Sequence, residues 1–70
     1  MMKRLTTTEL ANLIGLSPAY VRLLEKKGHL HPYRAESGYR YFGKEDIQKV
    51  VEMGLLSQED ADNFIKQREK

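Results

Sequence analysis

The sequence predicts a mainly α-helical domain of about four helices with a small two-stranded β wing between the second and the third. Apolar residues recur at spacings of three and four in four short stretches, about 7–14, 18–27, 44–53 and 58–68. Three of these open behind a Ser or Thr, and the first three run into Gly15, Gly28 and Gly54. Residues 29–42 instead hold short aromatic or apolar pieces around a small polar tip, the pattern of a hairpin.

Thr6-Thr7-Thr8-Glu9 is a capping box, in which Thr6 Oγ accepts from the Glu9 amide while the Glu9 carboxylate reaches back. Leu10, Ala11, Leu13 and Ile14 then line one face of a helix that ends before Gly15, with Leu16 expected as an apolar plug for the corner. Ser17-Pro18 starts the next helix at once. Serine caps well, and proline at the first helical position gives up an amide that has no intrahelical acceptor. Val21 and Leu24, with Leu23 beside them, supply an apolar face, whereas Ala19, Arg22 and Lys26 fall on another. Two short helices joined through a glycine turn make a helix-turn-helix.

In the hairpin, the tip Ala35-Glu36-Ser37-Gly38 is flanked by Arg34 and Arg40, either of which is placed to reach a phosphate. Guanidinium groups bind phosphate oxygens bidentately and a tyrosine hydroxyl adds a directed bond, so arginines interleaved with Tyr39 and Tyr41 suit nucleic acid. Strand alternation sends one of Tyr41 and Phe42 inward, and Phe42 is assigned to the core. Beyond it, Lys44-Glu45-Asp46 puts acids in a first helical turn, and Ile47, Val50 and Val51 form the next stripe. Ser57 caps a last helix with Glu59 and Asp60 in its first turn and Ala61, Phe64 and Ile65 facing the core.

Seventy residues allow one domain, taken to span 1–70, with a small core. The absence of cysteine excludes disulfides, thiolate metal sites and cysteine nucleophiles. No stretch approaches the roughly 18 apolar residues of a membrane span, and the first residues lack a signal peptide's apolar run. The expectation is a soluble cytoplasmic protein. The net charge of +2 is unevenly spread: residues 1–44 carry eight Lys or Arg against three Glu, and residues 45–70 carry four against seven Asp or Glu. A polyanion should therefore meet the first half.

The order of elements and several motifs in register resemble the MerR-like winged helix-turn-helix: Thr6-x-x-Glu9-Leu10-Ala11, Gly15-Leu16-Ser17, Val21-Arg22-x-x-Glu25-x-x-Gly28-x-Leu30, Pro32-x-Arg34 and Gly38-Tyr39-Arg40-x-Phe42. The resemblance implies that the second helix enters the DNA major groove, and that Arg22 with Gly38, Tyr39 and Arg40 engages the DNA backbone. Three departures stand out. Leu23-Leu24 replace the family's usual aromatic pair, Gly43 replaces a common Ser or Thr before the third helix, and Lys70 falls soon after the fourth helix, where full-length regulators continue into a dimerisation helix and a sensing region. Short winged helices of this kind also resemble excisionases of phages and mobile elements.

These readings combine into sequence-specific binding of double-stranded DNA by a transcription regulator or an excisionase-like architectural factor in a prokaryotic or phage nucleoid. The DNA-binding residues assigned are Ser17, Ala19, Tyr20, Arg22 and Lys26 on the recognition helix 18–27 and Arg34, Tyr39 and Arg40 on the wing. One such module covers little DNA, so self-association on adjacent or inverted half-sites is expected, without a sustained coiled-coil seam. No catalytic constellation, cofactor loop or small-molecule effector site is evident, and no enzyme activity is expected. His29 and His31 would fall on one side of a strand, but two ligands without a third make a poor metal site. The competing reading is a non-enzymatic protein-interaction adaptor offering Tyr20, Leu23 and the wing to a partner, which exposure of Leu23 would favour.

Overall fold

The computed structural model describes residues 5–68, arranged as α1 (Thr7–Ile14), α2 (Pro18–Lys26), β1 (Tyr33–Arg34), β2 (Arg40–Tyr41), α3 (Lys44–Glu52) and α4 (Gln58–Arg68). The capping box forms as the sequence predicts: Glu9 N donates to Thr6 Oγ at 3.2 Å and Thr6 N to Glu9 Oε1 at 3.0 Å. Ser17 Oγ accepts from Tyr20 N at 3.2 Å at the start of α2, and Ser57 Oγ accepts from Asp60 N at 3.1 Å before α4. Gly43, having no side chain, gives α3 no such bond.

The first three helices stop by the same device. Gly15 N donates to Asn12 O and Leu16 N to Ala11 O; Gly28 N to Glu25 O and His29 N to Leu24 O; Gly54 N to Val51 O and Leu55 N to Val50 O. This is the paired closure in which the residue after the helix turns left-handed, and the three glycines have φ of 73°, 86° and 80°. Because backbone bonds close the first corner, Leu16 is not needed as its plug. Contrary to the sequence expectation, it stays 40% exposed.

The wing is shorter in regular structure than its span suggests. The strands are antiparallel, with Tyr33 opposite Tyr41 and Arg34 opposite Arg40. Ala35 N donates to Tyr39 O and Gly38 N to Ala35 O, both at 2.9 Å, so Glu36, Ser37 and Gly38 form a three-residue loop whose last member has φ 90°. Residues 29–32 are not a strand, which corrects the alternation expected for the histidines: the His29 amide closes α2, and the His31 amide donates to Asp46 Oδ1 at 2.9 Å. At the base of the hairpin Leu5 pairs with Phe42 through two backbone bonds, of 2.9 and 2.7 Å.

Leu5, Leu10, Ala11, Ile14, Val21, Leu24, Leu30, Phe42, Ile47, Val50 and Ala61 make one core drawn from every helix and from the base of the wing. Phe42 is fully buried, as assigned. Asp46 is buried too, its carboxylate tying α3 to the segment leaving α2. The fourth helix docks by Ala61, half-buried Phe64 and Ile65, and paired Gln48 and Gln58 amides. Arg68 ties its end to α1 by an ion pair with Glu9, its guanidinium lying 5.0 Å from the Phe64 ring centre. That pairing, helped by the Thr6 amide and opposed by partial burial, holds Glu9 below the usual carboxylate range.

Candidate nucleic-acid interface

Helical periodicity divides α2 into two faces. Val21 and Leu24 are buried, and the opposite face, built from residues three and four apart, carries Ala19, Arg22, Leu23 and Lys26, all exposed. Leu23 is 45% exposed, so it leaves the apolar face on which the sequence grouped it and stands among the polar residues. Tyr20 is half-buried against the core, and the Ser17 hydroxyl is occupied in capping the helix. Arg22 is exposed and, among the described residues, no ion pair joins it to Glu25.

Glu25 serves the wing instead. Arg34 Nη2 donates to Glu25 Oε2 at 3.3 Å, and Arg40 Nε approaches Oε1 at 2.8 Å while directing its hydrogen bond to Oε2 at 3.1 Å. The opposed pair Arg34 and Arg40, facing each other across the hairpin, is thus clamped to one carboxylate on α2. The sequence contained a signal for this. Glu25 lies four residues after buried Val21 and so borders the core, where a carboxylate requires partners. Asp46 lacked such a signal, because an acid in a first helical turn is adequately explained by the helix dipole.

Tyr39 at the wing tip is 68% exposed. Together with Gly38 and Arg40 it faces the first turn of α1 across a notch lined by Thr6, Thr7 and Thr8. The structure therefore brings Arg22, Ala19 and Lys26 onto one helical face and fastens Arg34 and Arg40 beside that helix, with Tyr39 beyond them. Ser17 and Tyr20 lie at the start of α2 with their hydroxyl and ring already engaged in the fold. Residues 17–41 hold five Lys or Arg against two Glu, one of them the half-buried Glu25, so the solvent-facing field here is positive. The exposed acids of α4, Glu59, Asp60 and Asp62, are on a different element. A second cleft, lined by His29, His31, Tyr33, Glu45, Asp46 and Lys49, mixes both charges. Among the described residues, no group of three or more His, Cys, Asp or Glu is arranged to hold a metal ion, and no helix is long and apolar enough to cross a membrane.

Residues 6–42, 37 of the 70, match the family described as MerR family regulatory protein. Among solved structures the chain is similar to HiNmlR, described as a MerR family regulator lacking the sensor domain, bound to promoter DNA. The TM-score is 0.61 at 28% sequence identity, and the match covers 93% of this chain and 54% of that one. The present chain thus spans about half the length of that protein. No curated protein gives a significant match.

Proposed function

This chain belongs to the MerR family of regulatory proteins, and from that premise we propose that it binds double-stranded DNA sequence-specifically and regulates transcription. The observation that carries the reading is the exposed face of α2 bearing Ala19, Arg22, Leu23 and Lys26, with two wing arginines clamped alongside by Glu25. In this mechanism α2 lies in the major groove. Arg22 and Lys26 meet phosphates or base edges, and the amino-terminal positions Ser17, Ala19 and Tyr20 approach the groove floor.

The wing follows the adjacent backbone. Tyr39 offers a hydroxyl to a phosphate, and Arg34 and Arg40 retain donors beyond those spent on Glu25, since a guanidinium carries five. Glu25 keeps the wing at a fixed angle to α2, so that both elements arrive on the duplex in register. Phosphate contacts supply most of the affinity and make it salt-dependent, each adding about 0.9 to the slope of log K against log salt. The small footprint implies two or more copies on adjacent or inverted half-sites, whether at a promoter or, in an excisionase-like role, at a recombination site. The setting is the prokaryotic or phage nucleoid, within the cytoplasm.

The test is selection of bound duplexes from random DNA by the wild-type chain and by Arg22→Ala, at two salt concentrations. The expected result is a repeated motif whose enrichment falls with salt and is lost in the variant. Exposed Leu16 and Leu23 favour the second reading, a protein-interaction adaptor. That reading takes over if wild type and variant enrich nothing at either salt concentration.

A further inference from the structure

We propose that Leu23 is a base-reading residue of α2 that packs on the 5-methyl group of a thymine in the major groove. The inference rests on the DNA-binding reading above and specifies which base chemistry that surface accepts. Leu23 is 45% exposed, although every other leucine of α1 and α2 is buried or half-buried. Its place is the middle of the exposed face, four residues after Ala19, one after Arg22 and three before Lys26, so it is ringed by a methyl side chain and two cations. A surface so charged draws in a polyanion, and the apolar side chain at its centre then requires an apolar partner on that polyanion. The major groove offers one such group, the thymine 5-methyl, whereas the phosphates and the other major-groove edge groups are polar.

Leucine has no hydrogen-bonding group, so it selects by burial alone. It should distinguish thymine from uracil, which differ only in that methyl, and should reject cytosine less by repulsion than by loss of contact. Burial of one methyl group corresponds to a change in affinity of about fourfold. Ala19 occupies the same face one turn earlier and supplies a smaller version of the same contact.

The experiment uses the full chain and the duplex it selects from random DNA. Each thymine of the motif is replaced singly by deoxyuridine, and affinities are measured for the wild type, Leu23→Ala and Leu16→Ala. Leu23 is exposed, and alanine favours helix, so the first variant should retain the fold, which circular dichroism checks. At one or two thymines per half-site the wild type should bind the uracil duplex about fourfold more weakly; Leu23→Ala should lose that discrimination, while Leu16→Ala, which shortens an exposed leucine off the α2 face, keeps it. Salt-dependent binding that ignores the uracil replacements, or discrimination that survives in Leu23→Ala, overturns this assignment alone. Failure of the wild type to bind any duplex overturns the DNA-binding reading and this inference with it.

Discussion

Glu25→Gln removes the one negative charge that two wing arginines share while leaving the shape of the side chain unchanged, and the structure assigns unequal weights to the two pairs. Side-chain exposure is 57% for Arg34 and 35% for Arg40, against 18% for Glu25. The Arg34 contact, at 3.3 Å and largely in water, resembles an ordinary surface ion pair, worth about 0.2–0.5 kcal/mol. The Arg40 contact is closer, 2.8 Å, and more sheltered, so a charge-assisted bond of about 1–2 kcal/mol is the expected scale after allowance for solvent screening. Glutamine keeps one oxygen acceptor, and the substitution should therefore cost about 1–1.5 kcal/mol in all. For a domain of this size that lowers the thermal midpoint by roughly 4–12 °C, measurable by circular dichroism. Double-mutant cycles separate the two pairs: coupling of Glu25 to Arg40 should exceed its coupling to Arg34 by at least about 0.5 kcal/mol. Equal couplings, or a larger one to Arg34, would refute the assignment of Arg40 as the principal strap between wing and helix.

Glu9, held low chiefly by Arg68, gives a pH test: a depressed folded pKa contributes stability that is complete above the ordinary value of 4.5 and lost as pH falls through the folded value. Between about pH 6 and about pH 3 the wild type should therefore lose about 0.2–1 kcal/mol more than Arg68→Ala, the range for a pair still partly open to water; parallel pH curves would contradict this. Gly38→Ala forces a side chain to φ 90° in the wing loop and should destabilise by about 1 kcal/mol, seen as a lower midpoint and weakened hairpin cross-peaks in NMR spectra. Gly43→Ser supplies the cap that α3 lacks, but its Cβ would lie 2.9 Å from Glu45 Oε2 and 3.3 Å from the Tyr33 ring. Glu45 is exposed and its carboxylate can swing aside, so a net gain of about 0.5 kcal/mol is expected, and a lower thermal midpoint would mean that the Tyr33 ring cannot yield.

The helices were legible because each carries its own local instructions. Thr6 and Ser17 form the caps read from their sequence context, and Gly15, Gly28 and Gly54 end their helices in the left-handed conformation that glycine permits. Burial of Phe42 followed from strand alternation at the wing base. What escaped was non-local. The Leu5 pairing with Phe42 joins residues 37 positions apart, and neither partner carries a local signal of it. Asp46 reaching the His31 amide is likewise a tertiary bond made by an acid that a helix dipole already explains. Leu16, expected as a corner plug, and Leu23, grouped beside the apolar face of α2, are both exposed for a common reason: hydrophobicity signals a tendency to be buried, but whether a leucine at the margin of the core reaches it depends on how the neighbouring elements are placed against it. On the candidate site, periodicity separated Arg22, Ala19 and Lys26 from the core correctly, while the pairing of both wing arginines with Glu25 became visible only once the hairpin had been placed beside α2.

DNA binding through α2 and the wing is tested most directly by recording backbone amide shifts of the labelled chain by NMR as its selected duplex is added. The largest changes are expected at residues 17–27 of α2 and its cap and at 34–41 of the wing, with the acidic face of α4 nearly unmoved and the changes reversed by added salt. Changes concentrated on α3 and α4, with Arg22 and Tyr39 silent, would contradict it.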